Sequence, residues 1–142
     1  MINLLPGIDS SSAALNAERI RMDVVSENIA NADTTRGLDG KPYQRQQVVF
    51  ESVLRAQQGS DNPGSSISTT VARVQQDHRP PRMVYNPTHP DANAQGMVAM
   101  PDINIHEEMV DMIASSRAYE ANLAVIKNAR SMAMQDLSIG KH

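Results

Sequence analysis

The sequence predicts a mainly α-helical chain: long N- and C-terminal helices that pack as a coiled coil, with a small β-rich insert, a β-hairpin or small β domain, between them. Three observations predict it. Residues 9–32 and 104–138 each run without an internal Gly or Pro. Apolar residues recur in both stretches at steps of three, four and seven. Every proline except Pro6 falls between them, in residues 33–101.

The first helix is expected over about residues 9–32. Asp9 and Ser10, Ser11 and Ser12 offer N-caps behind Pro6-Gly7. The insert contains β-like runs at 43–50, 67–76 and 83–85, set apart by the turn-rich segments 37–40, 59–66 and 86–91. Segment 59–66 reads as a flexible loop. The second helix is expected over about residues 104–138, behind Pro101-Asp102 and ahead of Gly140. The domain reading is a discontinuous coiled-coil domain, residues 1–35 with 102–142, carrying the insert 36–101.

Both helices carry two apolar faces. Ile8, Leu15, Met22 and Ile29 follow a strict seven-residue spacing, and Ala13, Ala17, Ile20 and Val24 lie almost opposite. In the second helix, Met109, Met112, Tyr119, Leu123, Ile126, Ala133 and Leu137 form one stripe. Val110, Ala114, Ala121, Val125, Met132 and Ile139 form another, roughly opposite. A helix in a simple hairpin needs one apolar face. Two faces on each of only two long helices call for extra partners, which other molecules or the β-rich insert would supply, with other molecules the favoured source. Ser12, Arg19 and Ser26 dilute the first seam, so the helices are expected to order fully on assembly.

Composition narrows the function classes. In 142 residues, aromatics make up only 3% while methionines number nine, so a large compact core is not favoured. The net charge of −3 and the pI of about 5.7 provide no basic stripe for nucleic acid. No apolar run is long enough for a membrane span. The absence of cysteine removes disulfides and thiolate chemistry. The N-terminal string Met1-Ile2-Asn3-Leu4-Leu5-Pro6-Gly7 lacks the basic and long apolar regions of a secretory signal.

Catalytic chemistry is not expected. His106-Glu107-Glu108-Met109-Val110 begins like a zinc-protease helix, but Val110 stands where the second His is needed. His89 and Asp91 share a Pro-flanked turn without a nucleophile in a recognisable setting. No glycine-rich phosphate loop occurs. No catalytic, cofactor-binding or metal-ligating residue is assigned, and no cofactor is expected.

The string Ser26-Glu27-Asn28-Ile29-Ala30-Asn31-Ala32-Asp33-Thr34-Thr35 has the composition of a helix C-terminus, because Asn tolerates left-handed backbone and Asp and Thr bond back to nearby amides. It also resembles the signature of the flagellar rod, hook and distal-axis protein family, in which Asn-Ile-Ala-Asn-Ala closes the N-terminal helix. Two further stretches are similar to the proximal-rod branch of that family. One is Val84-Tyr85-Asn86-Pro87-Thr88-His89-Pro90-Asp91-Ala92 with Gly96-Met97-Val98-Ala99-Met100-Pro101. The other is Glu107-Glu108-Met109-Val110-Asp111-Met112-Ile113 with Ser116-Arg117-Ala118-Tyr119-Glu120-Ala121-Asn122. Asp33 departs from the Asn usual at its position.

The resemblance implies a structural, non-enzymatic subunit of the bacterial flagellar proximal rod. Such subunits polymerise through their terminal helices into the drive shaft that transmits torque and surrounds the export channel. It further implies type III export without a cleaved signal, assembly in the periplasm, and partners that are copies of the chain, other rod proteins, the adaptor joining rod to membrane ring, and the export apparatus. The expected assembly residues are Leu15, Met22, Asn28, Ile29, Ala30 and Asn31 on the first helix, and Met112, Arg117, Tyr119, Glu120, Asn122, Leu123 and Ile126 on the second. Another rod subunit of the same family, or a cytosolic coiled-coil adaptor, would share the helices; the adaptor would leave the motif set unexplained.

Overall fold

A computed structural model describes residues 5–37, 39–56 and 66–139, with side chains described for 8–37, 39–51 and 72–138. Helix α1 (Leu5–Ala30) is followed by strands β1 (Gln46–Ala56), β2 (Ser66–Gln76), β3 (Arg82–Tyr85) and β4 (Met97–Met100), then helix α2 (Ile105–Ile139). Two terminal helices with small strand pairs between them match the architecture expected from the sequence.

Helix α1 begins at Leu5, ahead of the expected caps at Asp9 to Ser12. Pro6 falls in its first turn, where the missing N–H has no intrahelical partner to lose. At the other end no left-handed residue is used: none of the described non-glycine residues has positive φ. Tightened backbone turns close the helix, with Ala32 N donating to Ile29 O at 3.3 Å and Thr34 N to Asn31 O at 3.1 Å, and side chains support them. Asn31 Nδ2 donates to Glu27 O at 2.9 Å, and Thr34 Oγ1 donates to Asn31 Oδ1 at 3.2 Å.

Helix α2 opens on a cap the sequence reading did not single out. Asn104 Oδ1 accepts the His106 N–H at 3.1 Å while Asn104 Nδ2 donates to Glu107 Oε1 at 3.1 Å. This Asn-x-x-Glu arrangement is a variant of the capping box. Glu107 and Glu108 in the first turn add favourable charge at the positive end of the helix dipole.

The insert forms two separate two-stranded sheets, β1 with β2 and β3 with β4. The sequence places the residues of strand β4 in a motif and gives them no strand signal. The strand pairs antiparallel with β3 in the register Arg82↔Met100, Met83↔Ala99, Val84↔Val98 and Tyr85↔Met97. Val98 is buried and Val84 half-buried on one face, whereas Met83 and Tyr85 on the other are exposed. Of the expected flexible loop 59–66, residues 59–65 lie outside the described residues, and Ser66 opens β2.

The chain separates into two compact units. One comprises Met1–Ile20, Phe50–Arg73 and Ala114–His142; the other comprises Arg21–Val49 and Val74–Ile113. The second unit has the richer core: Val24, Val25, Asn28, Ala32, Val98, Pro101, Ile103 and Glu108 are all buried. In the first unit, only Ala17 and Ser115 are buried among the described residues.

Candidate functional site

In the unit built from Arg21–Val49 and Val74–Ile113, a polar cluster joins both helices to the insert. Asn28 and Glu108 are each 1% exposed. The Asn28 amide donates through Nδ2 to Gln46 O at 2.8 Å and to Glu108 Oε2 at 3.0 Å; its Oδ1 accepts from Gln46 N at 2.9 Å and from Tyr43 Oη at 3.1 Å. These bonds use the full donor and acceptor capacity of a primary amide. The pair of bonds to Gln46 copies a rung of a β-ladder, so the first residue of β1 is fastened to α1.

The other carboxylate oxygen of Glu108 accepts from Arg45 Nε and Nη2, both at 2.7 Å. Arg45 also stands 3.9 Å from Asp77, which binds Arg79 at 2.7 Å, and Arg79 reaches Asp102 at 3.1 Å. The hydrogen bond and charge of Arg79, with a smaller contribution from Arg45, hold the Asp77 carboxyl below its usual range. Arg79 is correspondingly raised, chiefly by its hydrogen bond to Asp77. Burial, followed by the charge of Glu27, raises the Tyr43 phenol; its hydrogen bond with Gln46 works in the opposite direction.

Two further links complete this unit. Arg21 meets Asp111 at 3.0 Å. Together with Asn28–Glu108, this gives the order of pairing expected of antiparallel helices. Asp91, in the β3–β4 loop, accepts from Thr35 Oγ1 at 2.8 Å and pairs with Arg36 Nη2 at 2.8 Å. The loop that carries Asn86-Pro87-Thr88-His89-Pro90-Asp91 is thus tied to the segment leaving α1. Among the described residues, no group of three or more His, Cys, Asp or Glu is placed to hold a metal ion.

The assembly residues expected from the sequence occupy different settings. Leu15, Met22, Ile29 and Asn31 are half-buried, and Ala30 is exposed. Asn28 spends its hydrogen bonds inside the chain, and Asn122 Nδ2 donates to Ala118 O of its own helix at 2.9 Å. Met112, Tyr119, Asn122, Leu123 and Ile126 lie half-buried on the inner side of α2, whereas Arg117 and Glu120 are exposed. On that side Glu108, Met112, Ser115, Tyr119, Asn122, Ile126, Ala129 and Ala133 are buried or half-buried, at alternating steps of four and three.

The opposite side of α2 is the open one. Val110, Ile113, Ala114, Ala121, Ala124, Val125 and Met132 are exposed there, with Val110 at 66%. The sequence reading recognised most of this stripe but named none of its apolar residues for assembly, and from this side took Arg117 instead. It had no signal for Arg45 as the partner of Glu108, because 63 residues separate them.

Residues 8–36 match the family model "Flagella basal body rod protein", and residues 94–139 match "Flagellar basal body rod FlgEFG protein C-terminal". A flagellar basal-body rod protein FlgC from Bacillus subtilis is 42% identical, across 94% of this chain and 96% of the relative. The chain belongs to the FlgC family of flagellar basal-body rod proteins. FlgC proteins from Yersinia enterocolitica and Salmonella typhimurium are each 38% identical, the first across 99% of this chain and 100% of the relative, the second across 97% and 98%. The chain is therefore a structural subunit of the flagellar basal-body rod, and its function lies in assembly with other rod proteins.

Proposed function

We propose that the chain polymerises through its terminal helices, as coiled coils, into the proximal part of the rod, where it transmits torque and encloses the export channel. The observation that carries this reading is the open apolar stripe on α2. Val110, Ile113, Val125 and Met132 are each exposed to about half or more in the isolated chain. An exposed apolar stripe of this kind, although Arg117 and Asn128 stand within it, supports an interaction surface on this side. The alternating steps of four and three on the inner side of α2 give the average 3.5-residue period of coiled-coil packing.

In this reading, residues 1–35 and 102–142 form the discontinuous coiled-coil domain, and the insert 36–101 meets neighbouring subunits further out. A subunit in a tubular lattice is contacted on several sides through heterologous surfaces, which is what a helix apolar on both sides requires. The partners are copies of the chain, other rod subunits, the adaptor to the membrane ring and the export apparatus. Export proceeds without a cleaved signal, and assembly takes place in the periplasm.

The test pairs mass spectrometry of purified hook–basal bodies with electron microscopy of basal bodies from a deletion strain. The expected result is the intact N-terminus within the particles and, in the deletion strain, membrane rings without a rod. Complete rods in the deletion strain would refute the assignment.

A further inference from the structure

Nine methionines stand against three tyrosines and one phenylalanine in this chain. Three of the methionines are exposed on α2: Met109 at 52%, Met132 at 49% and Met134 at 60%. Met112, one turn from Met109, is half-buried on the inner side of the same helix, as are Met97 and Met100 on β4. The isolated chain therefore presents to solvent three thioethers on different sides of the helix proposed to pack against neighbours, Met132 on the open stripe and Met109 and Met134 off it. We propose that Met109, Met132 and Met134 are oxidation sites through which a peroxide or hypohalous acid blocks incorporation of the free subunit into the rod. This inference rests on the reading that α2 is covered on assembly.

The chemistry needs only an exposed sulfur and the oxidant. A sulfur lone pair attacks one oxygen of a peroxide; an S–O bond forms as the O–O bond breaks. The proton on the transferred oxygen passes to the departing hydroxide and gives water. Sulfur loses two electrons, and the peroxide gains them. The product sulfoxide is polar and chiral where the thioether was apolar and pliable. In solvent that change is cheap. In a packed apolar contact the S=O group lacks a hydrogen-bond donor, so the oxidised subunit is penalised only when it docks. Once docked, the same sulfurs are shielded, which makes the subunit vulnerable between export and incorporation.

The test begins with the purified full-length chain and hydrogen peroxide, with sulfoxide mapped by peptide mass spectrometry. Met109, Met132 and Met134 should oxidise as fast as Met83, which is 49% exposed on β3, and faster than Met112. The same treatment of purified hook–basal bodies should leave the three α2 methionines unmodified. Cells producing the triple variant M109L/M132L/M134L, which cannot form sulfoxide at these positions and keeps similar side-chain volume, should then build basal bodies normally under sublethal peroxide. Wild-type cells should lose incorporation by at least about tenfold, the loss expected when a buried polar group goes unpaired. The sulfoxide mimic M109Q/M132Q/M134Q should show that loss without oxidant, while its thermal unfolding as a free chain stays at the wild-type value.

If the three methionines oxidise in basal bodies as fast as in the free chain, the covered-helix reading fails and this inference fails with it. If they are protected there but the leucine variant is as sensitive to peroxide as wild type, or the glutamine variant assembles normally, the oxidation inference alone is overturned.

Discussion

Asn28 sits within the string that marks the family, yet its structural role is local. All four hydrogen-bonding positions of its amide are filled by Gln46, Glu108 and Tyr43. Asn28→Ala would leave the Gln46 backbone groups and one Glu108 oxygen short of partners in a buried site. A buried unsatisfied group costs about 1–3 kcal/mol, so the substitution is expected to destabilise the chain by about 3 kcal/mol, read as a lower urea midpoint. Asn28→Asp keeps the shape but turns a donor toward Glu108 into a second carboxylate, and it should destabilise more than Asn28→Ala. The opposite ranking would mean that the Asn28–Glu108 bond contributes little. Two neighbouring groups set the pH limits. Because the folded Asp77 value is depressed, its contribution is present above the unfolded value of 3.8 and is lost as pH falls further, through the folded value. Because the folded Tyr43 value is raised, its contribution is complete below the unfolded value of 10.0 and is lost as pH rises from there toward the folded value. Urea midpoints measured across pH should therefore fall at both extremes, with Asp77→Asn flattening the acid side and Tyr43→Phe the alkaline side.

Among the elements, the β3–β4 connection depends on one glycine for two separate reasons. Gly96 has φ of +73°, and a Cβ there would stand 3.0 Å from Tyr85 Cε2 and 3.2 Å from Pro87 Cβ. The left-handed backbone costs a residue with a side chain about 1–2 kcal/mol, and the rigid Pro87 ring cannot turn aside. Gly96→Ala should destabilise by about 2 kcal/mol in urea denaturation. Adding Tyr85→Ala should recover only the part due to the tyrosine, since Tyr85 is exposed and its ring can move; full recovery would mean that φ is not the obstacle. The elements also show what was legible in the sequence. Both long helices were readable because uninterrupted periodicity over more than twenty residues is a strong signal. Their starts are less so: Asp9 to Ser12 offer caps, yet Pro6 is compatible with a first turn and α1 begins at Leu5, and the Asn104-x-x-Glu107 cap stands beside the stronger signal of Pro101. Strand β4 is four residues long, too short for alternation to show, and is stabilised by its pairing with β3. The link from Glu108 to Arg45 follows from the fold and has no periodicity that could announce it.

For the whole molecule, the division of labour falls between the buried polar cluster and the open side of α2. The cluster holds α1, the insert and the start of α2 together within one chain, so disturbing it should lower stability first and assembly only as a consequence. The open stripe does the reverse. Val125 is 51% exposed, and Val125→Glu therefore removes little packing from the isolated chain. Surface substitutions away from caps and networks usually stay within about 0.5 kcal/mol, so the urea midpoint of the free subunit should hardly move. In an apolar contact between subunits, however, the same carboxylate would be desolvated without a partner, which is expensive unless the group is neutralised or paired. The expected outcome is a soluble subunit of wild-type stability that is missing from purified basal bodies and fails to restore motility to a deletion strain. Val125→Leu, which keeps the surface apolar, should restore both. A Val125→Glu chain that unfolds would show instead that this side of α2 is packed within the subunit. One that is stable and fully incorporated would show that neighbours in the rod leave Val125 in solvent. The contrast with Asn28→Ala is what separates a folding defect from an assembly defect, because only the former should be visible in the free chain.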